Sequence, residues 1–447
     1  MRKIIYFVII LLFLATSFLS YRIISGEYDK QDILILKIKD IVPTKLQNKL
    51  RNYVYDLRKK LNEERIEEIQ KAKLEQGLKG KLIQSKTIKT ETDKIRYFLR
   101  EYFLPFERLD LSYGWRAIQN AKRAHYLDVI DDKIIVVSGK GEFIYFETKN
   151  LLLEKLNQNI IENNLVSFIE KENFKFIGLR DLLIDKEVLY VSVILQDIKG
   201  NYTLSILSSN LNLKKLKFNF FYKLDLNIPR FSIGSGGRIV SFDDNKLLLT
   251  IGHFDFIDEI QNSDHLAGKI ISINKDNKNF DIVSLGHRNA QGLFFLEDNK
   301  DNQFIINSEH GPKGGDEVNI NHLKNNRVPN FGWPIASYGV NYDGTNPYKS
   351  SHKNYGFDEP FVNFTPSIGI SEISVIQKKN FKTIYVSSLR ANSIYIVKSN
   401  ENFSKIISSD RLKLGNRIRD LKYVKSLNGF IVILENTPSI GFLKIKD

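Results

Sequence analysis

Five short polar loops carry the side chains of this sequence that could do chemistry. Four are SIGSGGRIV (232–240), GHRNAQG (286–292), EHGPKGGDE (309–317) and GNRIRDL (415–421), and SSLRANS (387–393) is a weaker fifth. Each follows an apolar run typical of a β-strand. In a β-sheet domain, loops from distant parts of the sequence can meet at one rim. The pattern therefore predicts one shared site.

These loops supply arginines suited to a flat anionic ligand, namely Arg288, Arg390, Arg417 and Arg419. A guanidinium group is planar, stays charged and donates paired hydrogen bonds to carboxylates. Together they predict a pocket for a carboxylate-bearing ligand. Any one of them could instead form a structural ion pair between neighbouring strands.

The EHGPKGGDE loop offers oxygen ligands. Glu309, Asp316 and Glu317 flank a Gly-Pro turn whose carbonyls are also available. Oxygen ligands of this kind suit calcium better than zinc or copper. The sequence contains no cysteine, which excludes thiolate metal sites, disulfides and cysteine nucleophiles. We interpret His287 and His310, taken singly, as hydrogen-bonded structural histidines.

The sequence from residue 125 onward consists of short apolar β-runs separated by turn residues, such as DDKIIVVSGKGEFIYFET and LNGFIVILENTPSIGFLKI. Residues 125–447 are long enough for six to eight four-stranded blades of about 40–55 residues each. Six blades fit best, and a pair of β-sandwiches is the alternative. We predict that the propeller spans residues 123–447.

The N-terminus begins MRKIIYFVIILLFLATSFLSYRII, with an almost uncharged run from Ile4 to Tyr21 that is about long enough to span a bilayer as a helix. Arg2 and Lys3 would keep the N-terminus inside. Residues 1–27 are therefore predicted to be a membrane anchor, with a cleaved signal peptide as the alternative. Both interpretations place the globular domain outside the cytoplasm, in a bacterial periplasm.

Residues 28–122 are predicted to form a charged helical segment. In residues 44–76, apolar side chains recur at spacings of three and four, namely Leu46, Leu50, Val54, Leu57 and Leu61. This helix could be a solvated stalk, lie on the globular domain, or form a short coiled coil. A second helix, broken at Pro105, is predicted over residues 93–122.

The formal net charge of +14 does not indicate a nucleic-acid partner. A protein that binds a polyanion normally concentrates its lysines and arginines in one arm, helix or stripe. Here the charge is spread, and much of the excess lies in residues 28–100, directly after the apolar N-terminus. A membrane surface or a solvated helix accounts for it more simply.

Several motifs occur together in a specific order: LGHRNAQGL, SEHGPKGGDEVN, NFGWPIASYG, PSIGIS and RIRDL. With GGRIV, LLLTIG and LAGKIISIN before them, they resemble the glucose/sorbosone dehydrogenase family, the soluble quinoprotein aldose dehydrogenases. The resemblance covers roughly residues 123–447. It implies an all-β six-bladed β-propeller that binds pyrroloquinoline quinone (PQQ) and Ca²⁺. It also implies oxidation of the C1 hydroxyl of aldoses by hydride transfer to the quinone.

The resemblance also assigns roles to residues. The implied cofactor-binding side chains are Arg288, Asn289, Arg390, Arg417 and Arg419, and Arg288 also belongs to the catalytic centre. Arg390 stands where the family usually has a lysine, which keeps the charge but changes the geometry. The carbonyls of Gly311 and Pro312 would bind the calcium.

Two positions depart from the family pattern. The family's general base is a histidine four positions before the arginine of GGR, and Gly234 stands there. The acidic residue that orients this base is replaced by His253 in TIGH. Losing a general base alone costs about 10²- to 10⁴-fold in rate. We therefore hypothesise that His253 acts as the base from the second position.

The sequence thus predicts a membrane-anchored, exported oxidoreductase that acts on a sugar or another small alcohol. Its partners would be the membrane, through the N-terminal helix, and a periplasmic electron acceptor. The replacement of the usual base by Gly234 favours an alternative. That alternative is a non-catalytic propeller that binds a saccharide or a protein in the cell envelope.

Overall fold

The fold is seen in a computed structural model. It describes residues 82–89, 96–106, 124–325, 327–436 and 438–446, all within one compact unit, Lys79–Asp447. The predicted anchor (1–27) and the predicted helix over 44–76 lie outside the described residues. Within the described ranges, no helix is long and apolar enough to cross a membrane.

Blades 1 to 3 are antiparallel sheets apart from one short parallel strand. Blade 1 comprises β3 (Tyr126–Ile130), β4 (Lys133–Val137), β5 (Phe143–Glu147) and β6 (Asn159–Asn163), with the parallel β10 (Lys215–Leu216) outside. Blade 2 comprises β7 (Lys175–Asp185), β8 (Val188–Gln196), β9 (Tyr202–Asn210) and β11 (Asn219–Lys223). Blade 3 comprises β12 (Gly236–Ser241), β13 (Lys246–Ile251), β14 (Lys269–Asn274) and β15 (Phe280–Leu285).

Blades 4 to 6 are the remaining three sheets of the propeller. Blade 4 comprises β16 (Ala290–Glu297), β17 (Gln303–Glu309), β18 (Asp316–His322) and β19 (Val362–Phe364). Blade 5 comprises β20 (Ile370–Lys378), β21 (Phe381–Ser388), β22 (Ser393–Ser399) and β23 (Ile406–Lys413). Blade 6 comprises β24 (Ile418–Val424), β25 (Gly429–Leu434), β26 (Ser439–Lys446), β2 (Arg96–Phe103) and, outermost, β1 (Leu82–Lys89).

Helical structure is confined to short connections in the described part of the chain. The single α-helix there is α1 (Leu165–Lys171), which follows blade 1. The 3₁₀ turns are Thr148–Leu152, Ile257–Glu259, Leu323–Asn325, Lys353–Tyr355 and Lys425–Leu427.

The first strand of each blade contacts that of the next, in the cyclic order β3, β7, β12, β16, β20, β24 and back to β3. The strands behind them are packed between neighbouring blades, which explains their uninterrupted apolar runs. In β25, for example, all six residues of GFIVIL are buried. The all-β six-bladed propeller is therefore confirmed, and the β-sandwich alternative is wrong.

The ring is closed by a strand that lies before the predicted boundary at residue 123. Strand β2 pairs antiparallel with β26, from Arg96 opposite Lys446 to Phe103 opposite Ser439. The helix predicted over residues 93–122 is therefore wrong for residues 96–103, and residues 82–89 of the predicted helical segment also form a strand.

The burial pattern of β2 explains this difference. Tyr97, Leu99 and Glu101 are buried, whereas Phe98 and Arg100 between them are only half-buried. This alternation has the period of two that a strand requires. The buried Glu101 accepts a hydrogen bond from the Ser439 hydroxyl at 2.6 Å. Its carboxylate is therefore satisfied by the partner strand.

One buried guanidinium connects the inner strands across the channel. Arg238 of β12 is 2% exposed, and its Nη1 lies 2.8 Å from carboxylate oxygens of both Asp181 in β7 and Glu372 in β20. It lies 3.4 Å from Asp420 in β24. Asp420 in turn accepts the backbone N–H of Leu127 in β3 at 2.8 Å.

The same side chain also holds backbone carbonyls. The Nε of Arg238 donates to Gln291 O in β16 at 2.7 Å, and Nη2 donates to Arg419 O in β24 at 3.1 Å. Arg238 therefore forms polar contacts with four of the other inner strands, and it reaches the fifth of them, β3, through Asp420 and through the Tyr126 ring, whose centre lies 4.9 Å from Arg238 Cζ. Such a fully hydrogen-bonded charge is costly to break, because removing one partner leaves the others buried and unpaired.

Burial also changes the protonation of this cluster. It raises the pKa of Glu372 to about 8, with Arg238 opposing the rise and Asp420 and Asp181 adding to it. The pKa of Asp181 rises to about 6, again chiefly through burial. Glu372 is therefore largely protonated at neutral pH, which limits the negative charge around Arg238.

We predict that Leu99→Ala lowers the free energy of unfolding by about 2–4 kcal/mol, because the leucine is 2% exposed in the closing strand. Urea denaturation measures the loss. Ile198→Ala, at a side chain 85% exposed, is the control and should change stability by less than about 0.5 kcal/mol. An unchanged Leu99→Ala midpoint would contradict the assignment of β2 to the last blade.

We predict that Glu372→Gln flattens the pH dependence of stability. Between its ordinary pKa of 4.5 and its folded pKa of about 8, this carboxyl takes up a proton on folding, so stability falls as pH rises. The glutamine has no proton to take up, so urea midpoints measured from pH 5 to 8 should fall less steeply. The exposed Glu154→Gln is the control. Equal slopes for Glu372→Gln and wild type would contradict the raised pKa.

Candidate functional site

Three of the predicted loops meet around residues 286–292 at one end of the channel. The backbone N–H of His253 donates to Arg288 O at 2.9 Å, and that of Gly236 donates to Asn289 Oδ1 at 3.2 Å. The Nη1 of Arg288 donates to Gly311 O at 2.8 Å. Blades 3 and 4 therefore contribute to one site, which lies where their strands end.

Blades 5 and 6 complete the site from the other side. Arg419 Nη1 lies 3.5 Å from Gln291 Oε1, and Arg417 Nη1 lies 3.4 Å from Leu389 O. Arg417 and Arg419 share Glu435, at 3.0 and 2.5 Å from their Nε atoms. We call this site the mouth and define it by Gly234, His253, Arg288, Gly311, Arg417 and Arg419.

The remaining predicted residues lie at the edge of the mouth. Arg390 is exposed, and its backbone N–H donates to Ile368 O at 3.0 Å. The structure thus places it in the turn next to Leu389, with its side chain directed to solvent. Pro312 O accepts the Ser367 hydroxyl at 3.4 Å, which joins the EHGP loop to the turn before β20.

The mouth carries an excess of positive charge. Arg417 and Arg419 share one carboxylate, and Arg288 donates only to the carbonyls of His310 and Gly311 while its Cζ lies 5.3 Å from the centre of the Trp333 ring. Burial lowers the pKa of His310 to about 4, with the nearby arginines contributing, so this histidine is neutral at pH 7. A negatively charged ligand would compensate this charge.

The EHGP loop presents carbonyl oxygens but few free carboxylate oxygens. Asp316 is fully engaged: Oδ1 accepts the N–H of Gly311 at 3.1 Å, and Oδ2 accepts those of Gly369 at 2.8 Å and Ile370 at 3.1 Å. Across the described ranges, no cluster of three or more His, Asp or Glu side chains could hold a metal ion. A cation at this loop would therefore rely on carbonyls and on ligands from outside the protein.

A small pocket of about 10 Å³ lies beside this loop, between Arg288, Glu309, Gly311, Glu317 and Trp333. Burial and the neighbouring Glu309 raise the pKa of Glu317 well above its usual range, which favours its protonated form. The Nε of Arg288 and the Nε1 of Trp333 are buried without a hydrogen-bond partner. These unpaired polar atoms indicate that the pocket suits a polar guest or water.

The His253 ring occupies the space that a side chain at position 234 would need. A Cβ built on Gly234 would lie 2.6 Å from His253 Cδ2 and 2.9 Å from Cε1, and closer still to Nε2. The backbone contributes to this approach, since Phe254 N–H donates to Gly234 O at 3.1 Å. Glycine at 234 and histidine at 253 are therefore sterically coupled.

The hydrogen bonds of His253 fix its tautomer. Its Nδ1 accepts the backbone N–H of Asp255 at 2.9 Å, which places the ring proton on Nε2. Burial, followed by the charge of Arg288, lowers the pKa of His253 to about 4, so the ring is neutral at physiological pH. In this geometry His253 donates a hydrogen bond through Nε2. Nε2 could accept a proton only in the other tautomer, in which the ring proton is on Nδ1. Asp255 Oδ1 lies 3.6 Å from Nδ1 and is the carboxylate oxygen that could accept that proton as a hydrogen bond.

Two residues that contact the mouth, Glu435 and Arg180, were missed by sequence reasoning. Glu435 follows β25, so the same rule of polar residues at strand ends would have found it. Arg180 lies inside β7, and its Nε donates to the Ser235 hydroxyl at 2.6 Å. The adjacent charges of Arg180 and Asp181 within an otherwise apolar strand were the available signal.

The fold and the mouth define a six-bladed β-propeller with a cationic site at one end of its channel. Residues 176–443 match the model of the glucose/sorbosone dehydrogenase family. Because this match covers more than half of the sequence, the chain belongs to that family. The family resemblance of the sequence motifs is confirmed.

Two relatives illustrate the similarity. The chain is 26% identical over 240 residues to the aldose sugar dehydrogenase YliI of Escherichia coli, covering 49% of this chain and 62% of that protein. It is 31% identical over 142 residues to quinoprotein glucose dehydrogenase B of Acinetobacter calcoaceticus, covering 25% and 28% of the two chains. The chain thus spans less than two thirds of the length of these relatives.

Solved structures share the fold. The soluble aldose sugar dehydrogenase of Escherichia coli in its apo form gives a TM-score of 0.55 at 19% identity, covering 72% of this chain and 95% of that one. The PQQ-bound aldose sugar dehydrogenase of Streptomyces coelicolor gives 0.51 at 16% identity, covering 72% and 99%. At these identities the likeness establishes the architecture only.

We predict that Gly234→Ala lowers the free energy of unfolding by about 1–3 kcal/mol, because the new methyl overlaps the His253 ring. The backbone itself tolerates alanine, since φ at Gly234 is not positive. His253→Ala in the same background removes the overlap, so the double variant should lose less than the sum of the single losses. Chemical denaturation of the four proteins measures this coupling. Additive losses would contradict the steric exchange.

Proposed function

We propose that this protein is a quinoprotein oxidoreductase that removes a hydride from a sugar or a related alcohol. The observation that carries the proposal is the convergence of Arg288, Arg417 and Arg419 on one mouth with a single shared carboxylate, Glu435. Family membership and the names of the relatives agree with it. A planar ligand with several carboxylates, such as PQQ, would balance this charge.

The mouth has donors left for such a ligand. In the described part of the chain, Nη2 of Arg417 and Nη2 of Arg419 have no hydrogen-bond partner, while Nε of each is held by Glu435. Asn289 uses its Oδ1 to accept the Gly236 N–H, so its Nδ2 remains as a donor. Arg390 would supply a further charge from the edge. These side chains would hold the cofactor by its carboxylate and carbonyl oxygens.

We further propose that Ca²⁺ binds at the carbonyls of Gly311 and Pro312. These two oxygens now accept Arg288 Nη1 at 2.8 Å and the Ser367 hydroxyl at 3.4 Å. Because the Arg288 guanidinium is itself a cation, Ca²⁺ would bind at Gly311 O only after Arg288 Nη1 moved away from this oxygen. When bound, PQQ would supply the hydride acceptor and Ca²⁺ a Lewis acid.

His253 is the residue that we propose removes the hydroxyl proton. For this role its Nδ1 must carry the ring proton and donate it towards Asp255, which frees Nε2 as the acceptor. The low pKa of about 4 keeps the ring neutral, but it also makes Nε2 a weak base. Turnover through His253 should therefore be slow and should be lost as pH falls through about 4.

A second candidate is a non-catalytic propeller that binds a saccharide or a protein partner in the cell envelope. The tautomer of His253 favours it, because Nε2 carries the proton and cannot accept another. In this function the arginines of the mouth would bind the partner without a redox step.

Export and membrane anchoring are also part of the proposal. They rest on the apolar N-terminal run and its flanking positive charges. In this arrangement the propeller would work in the periplasm and pass electrons to an acceptor there.

We predict that adding PQQ and Ca²⁺ to the purified protein produces a protein-bound quinone absorbance band and dye reduction with sugars. Arg417→Met or Arg419→Met should weaken quinone binding by about tenfold or more, since a hydrogen bond to a charged group contributes about 1.5–3 kcal/mol. The exposed Lys405→Met is the control. Failure to form a band in the wild-type protein would refute the cofactor proposal.

The same preparation distinguishes the two candidate functions. The oxidoreductase should reduce the dye, and His253→Asn should lower this rate by about 10²-fold or more while the quinone band remains. A band without turnover in the wild-type protein would instead support the binding function.

A further inference from the structure

Arg180 is a buried cation at the mouth. It lies in β7, is 9% exposed, and its side chain runs along the backbone of Gly237, where an added Cβ would lie 2.8 Å from Arg180 Cγ. Its Nε donates to the Ser235 hydroxyl at 2.6 Å, and its Nη1 donates to Leu179 O at 3.1 Å. Both partners are neutral.

No carboxylate compensates this charge within the described ranges. The adjacent Asp181 is paired with Arg238, and the charged side chain that acts on Arg180 is another cation, Arg419. Burial lowers the pKa of Arg180, with Tyr126 opposing and Arg419 adding to the effect. Arg238 in the channel is also buried, but it has three acidic partners. A buried guanidinium without a counter-ion is unfavourable unless a ligand supplies one.

Arg180 also lies beside the reacting part of the mouth. Its partner Ser235 is the residue after Gly234, whose side-chain space is filled by the His253 ring. The residue after Ser235 is Gly236, which donates to Asn289. A molecule whose hydroxyl reaches His253 would therefore lie against the 234–237 turn, along which the Arg180 side chain runs.

We propose that Arg180 binds a carboxylate of the substrate, so that the mouth selects a sugar acid, such as a uronic acid, over a neutral sugar. This inference rests on the proposed function and names its substrate class. The guanidinium keeps Nη2 and part of Nη1 for the ligand, which allows the paired contact that carboxylates make with arginine.

A substrate carboxylate fits Arg180 better than a cofactor carboxylate does. The side chains assigned to the cofactor come from blades 3 to 6 and the loops between them, and Arg417 and Arg419 already offer free donors to it. Arg180 comes from blade 2, which supplies none of the side chains assigned to the cofactor.

The test measures binding of D-glucuronate and D-glucose to the whole protein by calorimetry, with and without PQQ and Ca²⁺. The wild-type protein should bind glucuronate about tenfold or more tightly than glucose. Arg180→Met should remove that preference while leaving glucose affinity within about twofold. Arg180→Lys should retain part of it, and the exposed Lys199→Met should retain all of it.

Thermal melting separates ligand binding from a structural role. Because Arg180 has no counter-ion, Arg180→Met should leave the ligand-free melting temperature unchanged or raise it. A lower melting temperature with an unchanged glucuronate preference would show that Arg180 is structural and would overturn the proposal.

Quinone titration separates this proposal from the proposed function. If wild-type protein forms the quinone band but prefers glucose, the substrate-class inference fails and the quinoprotein function stands. If no band forms but Arg180-dependent glucuronate binding is seen, the binding site stands and the redox function fails. If Arg180→Met weakens quinone binding and leaves the sugar preference intact, Arg180 belongs to the cofactor site and the proposal is wrong.

Discussion

The buried charge of Arg238 determines where the parts of the mouth lie. This one side chain contacts acidic groups from three blades, and it also holds the carbonyls of Gln291 and Arg419. The side chains of Gln291 and Arg419 line the mouth, so the channel network fixes the backbone from which the site is built. The network around Arg238 is buried. Displacing any inner strand would therefore leave charged groups without partners in the interior, which is energetically costly. Rigidity at the mouth follows from that cost.

Much of the propeller and its mouth was predictable from sequence, for identifiable reasons. Short apolar runs ending in polar residues define strands packed between blades, and the polar ends of those strands must gather at the channel. Arg288, Gly311, Arg417 and Arg419 were located by this rule. The fold of residues 96–103 was missed because the apolar side chains there are grouped, at 97–99 and 102–103, instead of alternating with polar ones, and the turn signals that mark the other strands are missing. Pairing with β26 is a contact across the whole domain, and no local pattern encodes it.

The Gly234 and His253 positions show where sequence reasoning ends. The two substitutions relative to the family pattern suggested an exchange of roles, and the structure shows that the histidine ring does occupy the space beside Gly234. Which ring nitrogen carries the proton depends on the Asp255 backbone N–H, and no pattern of residue types specifies that. Arg180 is similar: its charge was visible in the sequence, but its lack of a counter-ion is a property of the assembled fold.

The last blade is built from both ends of the propeller sequence. Strands β24 to β26 follow all the other strands of the propeller in the sequence, so the edge of β2 that pairs with β26 stays unpaired until they have been synthesised. A nascent chain therefore carries an open sheet edge until residues 439–446 emerge, and such an edge is a template for intermolecular association. It also means that the channel does not exist in any partly synthesised form. If the proposed export is correct, the proposed cofactor would bind only on the far side of the membrane, once the ring had closed.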